Sequence, residues 1–358
     1  MWQLILFELK KIFQKKIVYA ALAGTIFSNI IIYSAWGAFG DEAATMEGEE
    51  LNGMDAVLYM KEFDRQYEGE LSDEKVEELL ACQNKMEEMN AVYAYYRCLD
   101  ITSYVKSRFD AGQEGILSVD DVFTQEMGNI HFGYHKSFSS AFQYMMNMIM
   151  IMGCVLVIAL APIFSEEYTK GTDALILTTR YGKSKCAKAK IFASFLSSFG
   201  ILFILIVLNG SMFLATYGTE GWNTSVQIDY LGFLWDIPYE MNYAQFMGYS
   251  VFLWFVSYMF LTGMVLILSA FCQSSFVSLI IASVCYVVPM WIHTIMPIWF
   301  NAMMPILQLM VVVVLNIQRI HVFGCNIMPL WIVVSASTAV TVFFCILAKK
   351  GFTRHQVV

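Results

Sequence analysis

A phosphate-binding loop is the first chemistry that the sequence suggests. Gly182-Lys183-Ser184 matches the end of the G-x-x-x-x-G-K-S pattern, in which backbone amides and a lysine hold nucleotide phosphates. That pattern needs a glycine five positions before Gly182, and Leu177 stands there. No buried strand is predicted before the segment either. We therefore expect no nucleotide site in this chain and no enzymatic activity of its own.

Two histidines have a spacing that suits a metal. His131 and His135 are four residues apart, which would bring both imidazoles to one helix face. The glutamate of the zinc-protease H-E-x-x-H motif is missing, and Gly133 weakens a helix at this place. The simpler alternative is a pair of histidines at the membrane surface without a ligand. We expect no metal site.

The eight cysteines do not suggest a disulfide framework. Cys82 and Cys98 are predicted to lie on one continuous helix, where a separation of sixteen residues corresponds to about 24 Å, far beyond disulfide reach. Four others lie in or at the edge of apolar segments, where cysteine acts as a small hydrophobic side chain: Cys154, Cys272, Cys285 and Cys345.

The most informative polar segment spans residues 165–190, with the sequence SEEYTKGTDALILTTRYGKSKCAKAK. It lies between two long apolar segments, and its first half contains carboxylates and a Gly-Thr step. Its second half carries five basic residues: Arg180, Lys183, Lys185, Lys188 and Lys190. A basic segment between two spans is expected to face the cytosol. It is therefore a candidate contact surface for a cytosolic partner.

Composition places these residues in a membrane protein. Of the 358 residues, 58% are hydrophobic and only 15% are charged, against about 25% charged in an average soluble chain. Several apolar runs reach the roughly 20 residues that a transmembrane helix needs. Of the 30 acidic residues, 22 lie between residues 41 and 126, so the net charge of −8 arises mainly from one polar domain. The scattered basic residues argue against nucleic-acid binding.

We predict an all-α polytopic membrane protein. It has six transmembrane helices, an N-terminal amphipathic interfacial helix, a helical extracellular domain between spans 1 and 2, and a re-entrant segment between spans 5 and 6. The interfacial helix could instead be a cytosolic extension of span 1. The predicted ranges are 1–16 for the interfacial helix, 17–39 for span 1, 40–140 for the extracellular domain, 141–164 for span 2, 165–190 for the cytosolic segment, 191–216 for span 3, 217–245 for a second extracellular connection, 246–271 for span 4, 276–296 for span 5, 297–328 for the re-entrant segment, 329–348 for span 6 and 349–358 for a cytosolic tail.

The distribution of charge predicts the orientation of these helices. Basic residues outnumber acids in segments 1–16, 165–190 and 349–358, whereas 40–140 and 217–245 are acidic. Because cytoplasmic loops carry the excess of lysine and arginine, both termini are expected in the cytoplasm of a plasma-membrane protein. Six crossings satisfy this pattern. Segment 301–323 therefore dips into the membrane from the outer side or lies along that surface.

The 165–190 segment also resembles a known family. Glu167-Tyr168-Thr169-Lys170-Gly171-Thr172, followed by LILTTR at 175–180, is similar to the E-x-x-x-G-T…L-L-x-T motif between spans 2 and 3 of type-2 ATP-binding-cassette (ABC-2 type) permeases. The following Tyr181-Gly182-Lys183 looks like the version common in Gram-positive bacterial members. The chain departs from the family where many members carry proline after this motif, and its first connection is longer than in many members.

The resemblance implies a function and partners. It implies an exporter subunit that moves a peptide, lipid or other amphipathic substrate, pairs with a second permease subunit, and is powered by a cytosolic ABC ATPase that binds ATP and Mg²⁺. This chain itself would need no cofactor. The residues implied in ATPase coupling are Glu166, Glu167, Gly171, Thr172, Asp173, Leu175, Thr178 and Arg180. The basic half from Arg180 to Lys190 could equally anchor lipid headgroups.

Two other functions stay open at this point. One is a membrane-anchored sensor or interaction protein, in which the acidic extracellular domain binds a ligand and the spans only hold it. The other is a secondary carrier, but the predicted spans contain almost no ionisable residue, His293 being the main exception. Carriers driven by ions or protons place coupling charges near the middle of the membrane.

Overall fold

Apolar helices dominate the structure. The computed structural model describes residues 1–34, 43–46, 49–88, 98, 129–172, 185–229, 234, 237–322 and 325–354. Within these residues, five helices are long and apolar enough to cross a membrane, or six if a bent helix pair counts as one span. The chain is therefore a polytopic α-helical membrane protein, as its composition predicts.

The chain begins with the bent helix pair. Helix α1 spans Trp2–Phe13 and α2 spans Lys16–Ile32, and their axes differ by 71°. Lys15 between them has an extended backbone, which ends the first helix and starts the second. Helix α1 buries Ile5, Glu8 and Ile12, which share one helix face because they are three and four residues apart. A carboxylate therefore lies in the middle of its buried apolar face.

A small domain follows, which we call the first polar domain (the described residues from 43 to 135). Its core is apolar and includes Met60, Phe63, Leu79 and Phe132. The domain combines helices with short antiparallel strand pairs, which the sequence did not predict. Its elements are β1 (Ala43–Met46) paired with β2 (Glu49–Asn52), α3 (Met54–Gln66), β3 (Gly69–Glu70), α4 (Asp73–Glu88), and β4 (His131–Phe132) paired with β3.

The predicted separation of Cys82 and Cys98 is wrong. Helix α4 ends at Glu88 in the described structure, and both cysteines lie in the core of the first polar domain. Their thiols are hydrogen-bonded to each other. Cys98 therefore lies against Cys82 of α4 and not sixteen residues farther along one continuous helix.

Among the described residues, the membrane-spanning bundle has six further long or flanking helices, two of which, α5 and α6, together form one candidate span. Helix α5 ends at Leu160, and α6 begins directly after it at Pro162. Proline is tolerated in the first turn of a helix, but it cannot extend the hydrogen-bond ladder of the helix before it. The six are α5 (Lys136–Leu160), α6 (Pro162–Thr169), α7 (Ala187–Tyr217), α8 (Tyr243–Phe271), α9 (Ser275–Ile292) and α13 (Pro329–Arg354).

Contacts between helix ends fix an up-and-down arrangement. At one end, which we call the charged end, α1 meets the end of α6 and the start of α7, and Phe352 of α13 packs on Phe164 with ring centroids 5.0 Å apart. At the other end, which we call the domain end, the Tyr33 hydroxyl donates to the Met212 carbonyl at 3.0 Å. Helix α7 has 31 residues, so the two ends lie about 46 Å apart.

The two polar connections meet at the domain end. Lys61 and Arg65 of α3 lie 3.6 and 3.1 Å from the carboxylate of Glu220, which follows α7. The backbone amide of Ser225 donates to the His131 carbonyl at 3.0 Å. The first polar domain is therefore attached to the connection between α7 and α8 as well as to the helices that precede and follow it.

Three short helices fill the space between α9 and α13. The Trp254 Nε1 of α8 donates to the Leu309 carbonyl at 2.9 Å, and the Ser257 hydroxyl donates to the Pro305 carbonyl at 2.5 Å. Ser257 lies about 21 Å along α8 from its start, near the helix midpoint. The short elements are α10 (Ile298–Ala302), α11 (Pro305–Leu309), α12 (Val311–Leu315), β5 (Ile320–Val322) and β6 (Cys325–Ile327).

Candidate functional site

The predicted coupling segment begins where α6 ends. Gly171 adopts a positive φ of 64°, its amide donates to the Tyr168 carbonyl, and the Thr172 amide donates to the Glu167 carbonyl. This pair of bonds is a Schellman motif, which ends a helix most easily at glycine because other side chains disfavour the left-handed conformation. The exposed turn (residues 169–172) therefore projects from a well-defined helix end.

Directly beneath this turn lies a buried charge cluster (Glu8, Glu167 and Lys190). The Lys190 Nζ lies 2.6 Å from Glu167 Oε1 and 3.2 Å from Glu8 Oε2, and it also donates to the Ile163 carbonyl at 2.9 Å. Lys190 is fully buried, and both carboxylates are nearly so. Buried charges are tolerated only when they are paired and hydrogen-bonded, and this lysine makes three such contacts.

A second layer of charge surrounds the cluster nearer the surface. Lys11 Nζ lies 3.4 Å from Glu167 Oε1, and Lys15 Nζ lies 2.5 Å from Glu166 Oε2. Lys170 makes an exposed i,i+4 pair with the other oxygen of Glu166 at 2.6 Å. Burial lowers the pKa of Lys15 even though Glu166 opposes this shift. Together these pairs attach α1 to the last turn of α6.

The other side of α6 is fixed by hydrogen bonds to α8 and α9. The Ser269 hydroxyl accepts hydrogen bonds from the backbone amides of Phe164 and Ser165 at 3.0 and 3.2 Å. The Tyr168 hydroxyl donates to the Ala270 carbonyl at 3.2 Å, and the Ser275 amide donates to the Thr169 hydroxyl at 3.2 Å. Helix α6 is thus held on both sides, and displacement of its end would move α1, α7, α8 and α9 together.

The structure places the predicted coupling residues in three different environments. Gly171 and Thr172 are exposed, and Glu166 is half-buried. The Glu167 carboxylate points inward to Lys190, so in this conformation it serves the interior of the protein. The remaining predicted residues, Asp173, Leu175, Thr178 and Arg180, lie outside the described residues. Their role in coupling stays a prediction, as does that of the others.

Sequence reasoning missed two members of the buried charge cluster. Glu8 was detectable, because it is the one acid on α1 and lies on the same face as Ile5 and Ile12. Lys190 was grouped with the basic half of the segment, as a contact residue or a lipid anchor. Neither role fits its amine, which is fully buried and paired with Glu8 and Glu167. Lys185 and Lys188, by contrast, are exposed.

An apolar groove opens beside the cluster between α1, α7, α8 and α13. Its volume is about 880 Å³, within the range of small-molecule binding cavities. Its walls are almost wholly apolar, and Trp2, Phe192 and Val342 contribute to them. Lys188 and Lys349 line the part of the groove nearest the charged end. This combination suits an amphipathic molecule with an anionic head and an apolar tail.

The two histidines do not share a helix face. His131 lies in β4, and His135 precedes α5 and contacts Asp229 at 3.4 Å from its Nε2. Among the described residues, no group of three or more histidines, cysteines or acids has a metal-binding arrangement.

Comparison with known proteins finds no matching family model, no similar curated protein and no similar solved structure.

Proposed function

We propose that this chain is the membrane-spanning subunit of an ATP-driven exporter of the ABC-2 type, which moves an amphipathic substrate outward. In this proposal the charged end faces the cytosol and the domain end faces outward. Support comes from the positive-inside rule: α1, residues 185–190 and residues 349–354 are basic, whereas the first polar domain is acidic. The plasma membrane is the expected location, with both termini in the cytoplasm.

One observation carries the proposal: the exposed turn at 169–172 rests directly on the buried charge cluster. A surface loop that transmits force must be rigidly joined to the helices that it moves. Here the turn follows Glu167, whose carboxylate is fixed by Lys190 of α7 and approached by Lys11 of α1. A cytosolic ATPase that pushed this turn would therefore tilt several helices as one body, a rigid-body form of switching.

The short helices α10 to α12 have a place in the same mechanism. We propose that they form a re-entrant segment that enters from the outer side. Their broken backbone contacts Trp254 and Ser257 near the middle of α8, and such backbone is tolerated at membrane depth where protein groups satisfy it. Tilting α8 would move this segment and open or close an outward path. The apolar groove with Lys188 and Lys349 is a candidate entry for substrate.

Affinity purification of the full-length chain from its native membranes in mild detergent tests this proposal. We expect a stoichiometric ATPase subunit and a second permease copy, the same chain or a related one. Thr172→Arg on the exposed turn should lose the ATPase without loss of folding. Glu77→Arg, exposed on α4 at the domain end, is the matched control and should retain it. If the Thr172→Arg variant still copurified with the ATPase, the exposed turn would not be part of the contact.

A second candidate function is favoured by the separate apolar core of the first polar domain. A domain with its own core could bind an extracellular ligand while the helices merely anchor it. The same purification discriminates between the two, because a sensor of this kind would not bring a stoichiometric ATPase with it. The buried charge cluster favours the exporter, since a passive anchor has no need to fix α1 to the bundle through buried charges.

A further inference from the structure

Two cysteines lie side by side in the first polar domain. Cys98 is fully buried and Cys82 retains 6% exposure, and both belong to the domain's apolar core. A hydrogen bond joins their thiols, which makes the two sulfurs direct neighbours. Two tyrosines face the pair: the Tyr67 hydroxyl is hydrogen-bonded to Cys82, and Tyr59 interacts with both cysteines.

The two sulfurs differ in chemical character. The hydrogen bond from Cys98, helped by a hydrogen bond from Tyr67 and the charge of Lys85, lowers the pKa of Cys82 to about 6, although burial opposes this shift. At neutral pH the Cys82 sulfur is therefore a thiolate, the nucleophilic form of cysteine. Cys98 lies deeper, where a reagent in solution does not reach it directly. The arrangement is one attacking thiol at the edge of a core and one resolving thiol behind it.

We infer that Cys82 and Cys98 form a reversible disulfide within the first polar domain. The Cys82 thiolate attacks a low-molecular-weight disulfide, which produces a mixed disulfide and releases one thiolate. Cys98 then loses its proton and attacks the Cys82 sulfur, and the second small thiolate leaves. The two protein thiols are oxidised by two electrons, and one small disulfide is reduced to two thiols. No other co-reactant is needed.

Closure of this bond would fix the part of the chain at residue 98 against α4. A small domain with a limited core gains stability from such a crosslink, chiefly because the crosslink restricts the unfolded chain. Oxidation in the cell rests on the orientation given under the proposed function, since disulfides persist outside the cytosol. Formation of the disulfide in purified protein depends only on the geometry of the pair.

The test uses detergent-purified full-length protein equilibrated in glutathione buffers of increasing oxidised fraction. Samples are quenched with acid, denatured, alkylated and analysed by intact and peptide mass spectrometry. We expect the wild type to lose two alkylatable thiols, to gain no glutathione, and to yield a crosslinked peptide pair of Cys82 and Cys98. Cys98→Ser should stop at one glutathione on Cys82. Cys186→Ser, at the charged end, is the matched control and should behave as wild type.

Two results would overturn the inference. One is a wild type that keeps both thiols alkylatable in fully oxidised buffer. The other is a wild type that accumulates glutathione on Cys82 as the Cys98→Ser variant does. A kinetic readout that needs no cysteine variant supports the assignment of roles: Tyr67→Phe should slow alkylation of Cys82 at pH 7, because it removes a hydrogen bond to the thiolate.

The location of the domain is decided by a separate measurement. The same trapping, applied to intact cells, should find the pair oxidised if the domain faces outward. A pair that is reduced in cells but closes in purified protein would contradict the proposed orientation and leave the disulfide chemistry established. A failure of the pair and a failure of the proposed function are therefore distinguishable.

Discussion

Neutralising Lys190 is the perturbation that most sharply tests the buried charge cluster. Lys190→Met keeps much of the side chain's length and apolar stem but removes the amine that Glu8 and Glu167 share. Two carboxylates then remain buried without their common partner. Breaking one buried ion pair by removing a partner typically costs about 3–5 kcal/mol, because the remaining charge is uncompensated. The cost stays near this range, since Lys11 still lies 3.4 Å from Glu167.

The chain provides a matched control for this experiment. Lys170 pairs with Glu166 at 2.6 Å, the same distance as Lys190 to Glu167, but the Lys170 side chain is 63% exposed whereas Lys190 is fully buried. Exposed i,i+4 pairs contribute only about 0.3–0.5 kcal/mol. Lys170→Met should therefore lose about a tenth as much stability as Lys190→Met, although the two lost ion pairs have the same N–O distance.

Chemical denaturation in mild detergent, followed by tryptophan fluorescence, measures these differences in the free energy of unfolding. Hydrogen exchange supplies a local readout, because loss of Lys190 should reduce the protection of α1 amides more than that of α8 amides. The triple variant Glu8→Gln/Glu167→Gln/Lys190→Met removes every charge of the buried cluster and leaves only the partly exposed Lys11 without its partner, so it should recover much of the loss. Equal losses for Lys190→Met and Lys170→Met, or unchanged protection of α1, would refute the reasoning.

Two further substitutions test the packing of the bundle. Gly153→Ala would put a Cβ only 2.1 Å from the Tyr286 hydroxyl and should cost about 1–3 kcal/mol by overpacking, whereas Gly248→Ala has no atom within 4 Å of its new Cβ and should keep wild-type stability in the same unfolding assay. Trp254→Phe leaves the buried Leu309 carbonyl without its indole donor and should lower the free energy of unfolding by about 1–3 kcal/mol. An unchanged free energy of unfolding would show that this hydrogen bond does not stabilise the contact between α8 and α11.

The sequence predicted the helices well because long apolar runs have few alternatives. The bounds differ from the prediction where charge was overvalued. Span 3 was predicted to begin at residue 191, since lysines normally end a membrane helix, but α7 begins at Ala187 and includes Lys190. The buried amine is compatible with the helix because two carboxylates from other elements neutralise it. Residues 349 and 350 likewise fall inside α13, which continues to Arg354.

The members of the candidate site were less predictable because they are distant in the sequence. Glu8 and Lys190 are 182 residues apart, and no periodicity within one element relates them. The Cys82–Cys98 pair was missed because one continuous helix was predicted across both residues, whereas the structure brings the two side chains into contact. Strands of two to four residues, such as β3 and β4, are too short to show a pattern of alternation.

The composition of the complex purified from native membranes tests the central claim most directly. The account predicts that the full-length chain brings with it a stoichiometric cytosolic ATPase, that the complex hydrolyses ATP, and that Thr172→Arg releases the ATPase while Glu77→Arg does not. A chain that purifies without any stoichiometric ATPase, from membranes in which it is intact and folded, would contradict the assignment as an exporter subunit.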